Sequence, residues 1–307
     1  MPIRRILILG HGAMGRMFER LLSGHELTIW ERDPDTGEES VALERACDGQ
    51  DVVLFALPAH PHRELAERLV GHLPRDAVCL SIAKGLDADG HPPSSIFEAV
   101  FADRVAWGLI CGPMIADDLS EGRAGFAVLA ATTPDARAVA RLFSDTRLYL
   151  DTDEDVRGAG WSVILKNVFV PLIGAADALK LGDNMRGFLL AESVAELGRI
   201  VEKMGGRSAT AHGPAGLGDL VTTATSPSSH HRRIGTDLAT GRTDQVIVDD
   251  EFIRSEGVHT IERVREFELL PRGDYPLFDL AGDFLTGKVA LEDGLARYLA
   301  ERFGRGE

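Results

Sequence analysis

Ile3-Arg4-Arg5-Ile6-Leu7-Ile8-Leu9-Gly10-His11-Gly12-Ala13-Met14-Gly15 is the stretch that decides the fold. Ile3 to Leu9 is a short apolar run, which reads as a buried parallel strand. Gly10-x-Gly12-x-x-Gly15 follows at once, and Arg16 to Leu22 continues with helical spacing. Strand, glycine turn and helix together form the dinucleotide fingerprint in the context it requires. The glycines permit a tight turn and let a pyrophosphate approach the backbone and rest on the helix N-terminus. Without a ligand, the same glycines would make only a turn.

Reading outward, Glu26 to Glu31 is a second strand. Glu31 at its end is placed to hold the adenosine ribose hydroxyls, which favours NAD, whereas Arg32 beside it suits the 2′-phosphate of NADP. Further strands are expected over Asp51–Leu57, Ala77–Ile82, Trp107–Cys111 and Phe126–Ala131, with a helix from Pro134 through Phe143. Most of these strands end in glycine or proline turns, on the side where open α/β sheets bind ligands. Strands alternating with helices predict a doubly wound sheet.

After Leu150 the pattern changes. Asp151-Thr152-Asp153-Glu154-Asp155 reads as an acidic connector, and helical spacing then dominates over Val156–Leu181, Met185–Met204, Ile261–Leu269 and Leu291–Phe303. Gly182, Gly205-Gly206 and Gly257 read as helix stops. The expected organisation is α/β: a Rossmann doubly wound domain over 1–150 and an all-helical substrate domain over 151–307.

Composition narrows the class. A net charge of −15 argues against general nucleic-acid binding. Lys166 and Asn167 interrupt the most apolar run, so no membrane span is predicted. Cys47, Cys79 and Cys111 are odd in number and far apart, which suits a reducing cytoplasm rather than a disulfide framework or a metal site. Of 33 basic residues only Lys84, Lys166, Lys180, Lys203 and Lys288 are lysines. Lysine is the cation that can give up a proton.

Lys166 stands in Trp161-Ser162-Val163-Ile164-Leu165-Lys166-Asn167-Val168-Phe169-Val170-Pro171-Leu172-Ile173-Gly174, which is apolar on every side of a helical wheel. A lysine buried there is costly unless paired, and burial pulls its pKa toward the proton-exchanging range. A purely structural ion pair is the competing interpretation. Pro171 cannot donate to the Asn167 carbonyl, so a bend past the lysine is expected.

The glycine fingerprint, Ala83-Lys84-Gly85-Leu86, Cys111-Gly112-Pro113, Leu165-Lys166-Asn167-Val168, Gly182-Asp183-Asn184-Met185-Arg186, Gly216-Leu217-Gly218-Asp219-Leu220 and Ser255-Glu256-Gly257-Val258 occur in this order. The series resembles the NAD(P)-dependent glycerol-3-phosphate dehydrogenases over nearly the whole chain. The resemblance implies an oxidoreductase of phospholipid-precursor metabolism that transfers a hydride between NAD or NADP and a small polyol phosphate, with chemistry between two domains. Lys166 would be the general acid and base and Asp219 its carboxylate partner. Lys84, Gly112, Asn167, His230, His231 and Arg232 would contact substrate. Gly10, Gly12, Ala13, Met14, Gly15, Glu31, Arg32, Lys84, Ala116 and Glu256 would contact cofactor. No metal, nucleic acid or membrane is expected, and a homodimer is left open.

Three departures stand out. Met114 and Ile115 replace a hydroxyl residue and an aromatic, His230 and His231 replace an Arg-Asn pair before Arg232 and Arg233, and the segment from Arg32 to Gly49 is short. A neutral histidine offers one donor where arginine offers a charged fork. These changes keep two alternatives in view: a related dehydrogenase of another, unphosphorylated hydroxy compound, and a non-catalytic nucleotide-binding protein.

Overall fold

The computed structural model describes residues 4–33, 35–242 and 251–304, with backbone alone for 251–255. The chain divides into two compact units, Met1–Gly160 and Trp161–Glu307.

In the first unit, the described residues form a seven-stranded sheet: β1 (Arg5–Leu9), β2 (Glu26–Trp30), β3 (Val52–Phe55), β4 (Val78–Ser81), β5 (Ala106–Cys111), β6 (Gly125–Ala130) and β7 (Leu148–Asp153). Their order is β2-β1-β3-β4-β5-β6-β7. Successive side chains of a strand point to opposite faces, and both faces are covered. Ile6 and Ile8 enter one apolar cluster with Met17, Phe18 and Leu54. Leu7 and Leu9 enter another with Trp30, Phe55 and Phe97. Double burial is why these strands read as continuous apolar runs.

The sheet differs from expectation at its far edge. β6 runs antiparallel to β5, and β7 pairs with β6 from Gly125↔Leu148 to Ala130↔Asp153. Asp151 to Asp153 therefore belong to a strand, not to a connector. On β7 only Leu148 and Leu150 reach the core cluster, while Tyr149 is exposed and stacks on Phe126 of β6. An edge strand with one open face carries too few apolar residues to be read from hydropathy. The helix expected from Pro134 stops at Ala138 and continues to Phe143 as a 3-10 turn.

The helices of the first unit are α1 (Ala13–Leu21), α2 (Leu43–Ala46), α3 (His62–Leu69), α4 (Pro93–Phe101), α5 (Ala116–Ser120) and α6 (Pro134–Ala138). The second unit is helical: the long α7 (Val156–Ala178), α8 (Asp183–Lys203), α9 (Asp219–Thr225), α10 (His230–Ala239), α11 (Glu251–Glu266), α12 (Pro276–Leu285) and α13 (Leu291–Phe303). By length and composition α7 could cross a membrane, yet its apolar window is wholly buried in protein. Pro171 lies inside it without ending it.

Gly257 does not stop a helix; it lies inside α11. A Cβ there would stand 2.7 Å from the Asn167 carbonyl oxygen, the acceptor that Pro171 leaves without its helical donor. The glycine permits close approach of two backbones rather than a terminus. Helix α12 also escaped the sequence reading. Its N-terminus lacks a local cap, and Glu196 of α8 accepts from the amides of Leu277 at 3.2 Å and Phe278 at 2.5 Å. A cap supplied from 81 residues away leaves no local signal.

Candidate active site

Gly10 closes β1 at φ +91°, a left-handed conformation that favours glycine, and its amide donates to the Trp30 carbonyl at 2.7 Å. A Cβ on Gly15 would come within 2.0 Å of the Gly10 carbonyl oxygen, so α1 can pack this tightly only with glycine there. A Cβ on Gly12 would meet nothing within 4 Å. Gly12 is the N-cap of α1, no side chain caps the helix, and Ala13 and Met14 begin a first turn without acidic residues. Open space before uncapped amides and a positive helix end fits a pyrophosphate.

Glu31 follows β2 and is exposed, its amide bonded to the Ser40 hydroxyl at 3.2 Å. Arg32 is engaged. Its guanidinium grips both Glu64 oxygens, at 2.6 and 3.2 Å, reaches Glu39 at 3.5 Å, and lies over the Trp30 ring. Arg68 binds Glu39 and Glu44 as well, and these contacts hold the Glu39 carboxyl down at about 2. The short segment after Arg32 thus folds into an ion-pair network across α2 and α3.

Lys84 follows β4 in the turn Ala83-Lys84-Gly85 and is half-buried. A Cβ on Gly112 would press within 2.6 Å of the Phe126 carbonyl oxygen, so close strand packing explains this glycine. Ala116 opens α5. Met114 is 4 % exposed and packs in the core.

In the second unit, Lys166 is 4 % exposed and Asp219 3 %. The Lys166 Nζ lies 3.2 Å from Asp219 Oδ2 and donates to Thr223 Oγ1 at 2.6 Å. The Thr223 hydroxyl donates to the Asp219 carbonyl at 2.7 Å, so its oxygen is turned toward the ammonium. A π-turn over Pro214–Gly218 delivers Asp219 to the first position of α9, with Thr223 one turn later on the same face. Gly216 makes that turn possible, since a Cβ would meet the Ala211 carbonyl oxygen at 2.1 Å. Thr223 was missed by the sequence reading. Its spacing four residues past Asp219 is the signal that could have found it.

Asn167, next along α7, donates through Nδ2 to Glu256 Oε2 at 3.0 Å, and His231 Nε2 lies 3.8 Å from the same oxygen. Consecutive residues of α7 thus anchor two groups, Lys166 with Asp219 and Thr223, and Asn167 with Glu256 and His231. His230 is not among them: it is exposed and its Nδ1 pairs with Arg233 at 2.8 Å. Arg232 is drawn to Asp177 at 2.9 Å, a carboxylate it shares with Arg186 at 2.7 Å. Both guanidiniums hold the Asp177 carboxyl below the usual range against the opposing effect of burial.

A buried ammonium set between carboxylate and hydroxyl, in a chain with a pyrophosphate-ready turn, defines the class of nicotinamide-dependent dehydrogenases. Comparison with known proteins gives the particular family. Residues 34–137 match the NAD-dependent glycerol-3-phosphate dehydrogenase N-terminus and residues 155–296 its C-terminus. The chain is 31 % identical over 287 residues to glycerol-3-phosphate dehydrogenase [NAD(P)+] of Moorella thermoacetica, covering 85 % of each. It is 29 % identical over 321 residues to that of Dechloromonas aromatica, covering 96 % of this chain and 97 % of the relative. The crystal structure of glycerol-3-phosphate dehydrogenase from Coxiella burnetii superposes with a TM-score of 0.83 at 22 % identity, covering 97 % of this chain and 99 % of that one. A ketopantoate reductase family structure from Ralstonia eutropha reaches 0.55 at 17 % identity, covering 95 % and 99 %. The chain belongs to the NAD-dependent glycerol-3-phosphate dehydrogenase family. It is thus an oxidoreductase of the NAD(P)-dependent kind.

Proposed function

We propose that this protein interconverts glycerol 3-phosphate and dihydroxyacetone phosphate, with residues 161–307 as its catalytic domain and Lys166 as the acid and base. The observation that carries this reading is the buried contact of Lys166 with Asp219 and Thr223. When bound, NAD(P) supplies or accepts the hydride. As negative charge grows on the ketone oxygen, the Lys166 ammonium stabilises it and then gives up a proton. Asp219 pairs with the ammonium at 3.2 Å, and Thr223 fixes where Nζ points. The Asn167–Glu256 hydrogen bond holds α7 in register at the residue after Lys166. Lys84 and His231 are proposed substrate contacts, and Gly10, Gly12 and Gly15 the cofactor turn. The three cysteines are buried and in no disulfide, which suits the cytoplasm.

Turnover of dihydroxyacetone phosphate, dihydroxyacetone and a panel of hydroxy and keto acids tests the substrate. The phosphate ester should lead its unphosphorylated analogue by about 10- to 100-fold in kcat/KM, the worth of one charge-assisted hydrogen bond. Equal or better turnover of an unphosphorylated compound overturns the assignment, and His230, turned to Arg233, would be the reason.

NAD is the proposed cofactor. Arg32 is bidentate on Glu64, and the neighbouring Glu31 and Glu39 would repel a 2′-phosphate. Glu64→Ala should release Arg32 from its bidentate partner, leaving only the longer contact to Glu39, and raise kcat/KM for NADP relative to NAD by about tenfold, the yield of some 1.4 kcal/mol. An unchanged ratio, or equal use of both cofactors by the wild type, contradicts this.

A further inference from the structure

His62 opens α3 and is completely buried in the first unit. Its ring lies 5.0 Å from Phe55 and 5.6 Å from Phe97, centroid to centroid, in a pocket that a phenylalanine would fill with a gain in apolar contact. What phenylalanine could not provide is the pair of polar contacts the ring makes in its plane. Nδ1 lies 2.9 Å from the Pro58 carbonyl oxygen and Nε2 lies 2.7 Å from Ser81 Oγ.

One arrangement of protons satisfies all these groups. A carbonyl only accepts, so Nδ1 carries the hydrogen and donates to Pro58. Nε2 is then an acceptor, and the Ser81 hydroxyl donates to it. The Ser81 oxygen in turn accepts from the Ala83 amide at 3.1 Å. Ala83 to Ser81 to His62 to Pro58 is a single directional chain, each bond polarising the next. Burial depresses the imidazole to about 4, in keeping with the neutral tautomer this chain requires.

The chain connects two specific places. β3 and β4 are adjacent and parallel, with Phe55 opposite Ser81 at their C-terminal ends. Pro58 belongs to the turn after β3, and Ala83 immediately precedes Lys84 in the turn after β4. Ligands of open α/β sheets bind beyond these strand ends. The ladder below also joins the two segments, and Arg63, next to His62, lies 3.6 Å from Asp87 a little beyond Lys84. Ile82 still donates to the Phe55 carbonyl, at 3.3 Å.

We propose that His62 is a positioning residue for hydride transfer, fixing the Ala83-Lys84-Gly85 turn against the turn after β3 so that Lys84 meets the substrate. This rests on the reading of Lys84 as a substrate contact. The effect is geometric: a group displaced by about 1 Å can cost on the order of 100-fold in rate.

The test uses His62→Phe, which keeps the ring and removes both bonds, and Ser81→Ala, which breaks the chain without touching the aromatic packing. Each is made in the full chain and again with Lys84→Ala, and kcat, KM, NADH affinity and melting temperature are measured. Both single variants should lose about tenfold or more in kcat/KM for substrate, with NADH affinity changed less than about threefold because the glycine turn lies on β1. In the Lys84→Ala background the same changes should cost less than about twofold, since residues acting through one another are not additive. His62→Asn, whose amide can still donate to Pro58, should recover part of the loss. If His62→Phe and Ser81→Ala lower only the melting temperature, or cost as much without Lys84 as with it, His62 is structural and the proposal fails. If Lys84→Ala keeps wild-type turnover, the reading of Lys84 fails first and takes the proposal with it. Should His62→Phe not fold, Ser81→Ala alone decides.

Discussion

Gly235→Ala should melt well below the wild type, although it exchanges glycine for the best helix former within a helix. Gly235 lies inside α10 where that helix crosses α7. A Cβ there would stand 1.8 Å from the Pro171 carbonyl oxygen and 2.7 Å from the Pro171 Cα. The crossing is reciprocal: a Cβ on Gly174 of α7 would stand 2.0 Å from the Arg232 carbonyl oxygen. The obstacles are backbone atoms, so no side chain can swing aside and the helices themselves must separate. Overpacking of that kind costs about 3 kcal/mol or more, or roughly 5–10 °C in melting temperature for a unit of this size. Gly187→Ala is the matched control, also within a helix, where a Cβ would meet nothing within 4 Å. It should be neutral or stabilising by about 0.5–1 kcal/mol. Thermal melting of both variants checks the contrast, and equal behaviour would show that α7 and α10 do not cross this closely. The crossing matters to function because α7 carries Lys166 and α10 carries His231.

Lys166→Met should abolish turnover while sparing the cofactor. Methionine keeps most of the length and apolar stem of lysine but has no proton to give. Loss of a positioned acid costs about 10²- to 10⁴-fold. NADH affinity should stay near wild type, because the glycine turn and Glu31 are in the first unit. Stability will suffer too, since Asp219, 3 % exposed, loses its ion pair with Lys166. Breaking a buried pair in this way costs about 3–5 kcal/mol. The double variant Lys166→Met with Asp219→Leu separates the two effects: removing the buried carboxyl as well should restore much of the melting temperature and none of the activity. Recovery of activity in the double variant would mean that Lys166 serves only the fold.

The strand that carries the cofactor turn and its neighbour β3 were legible because both of their faces are buried, which makes Ile6 to Leu9 and Val52–Phe55 unbroken apolar runs. β7 was not legible: one of its faces is open, and its aspartates imitate a linker. Lys166 could be singled out from sequence because a charged group in apolar surroundings is conspicuous, whereas Asp219 was reached through the family resemblance of Gly216-Leu217-Gly218-Asp219-Leu220. Thr223 was not named, since its spacing four residues past Asp219 is a weak signal until its hydroxyl is seen turned to the ammonium. The two histidines looked equivalent side by side, yet consecutive residues of a helix point about 100° apart. One turn of α10 sends His231 toward Glu256 and His230 out to Arg233. Gly257 shows the same limit from the other direction. A glycine that ends a helix and one that lets another helix approach look alike in sequence, and only the Asn167 carbonyl beside it tells them apart.

The claim that Lys166 moves the proton is tested most directly by a single turnover. Enzyme preloaded with NADH is mixed rapidly with dihydroxyacetone phosphate, and the loss of the reduced nicotinamide absorbance is followed for wild type and Lys166→Met. The wild type should oxidise one equivalent of bound NADH per active site in a fast phase. The variant should bind both ligands and show that phase slowed by about 10²-fold or more. A variant that oxidises its bound NADH at the wild-type rate would contradict the account.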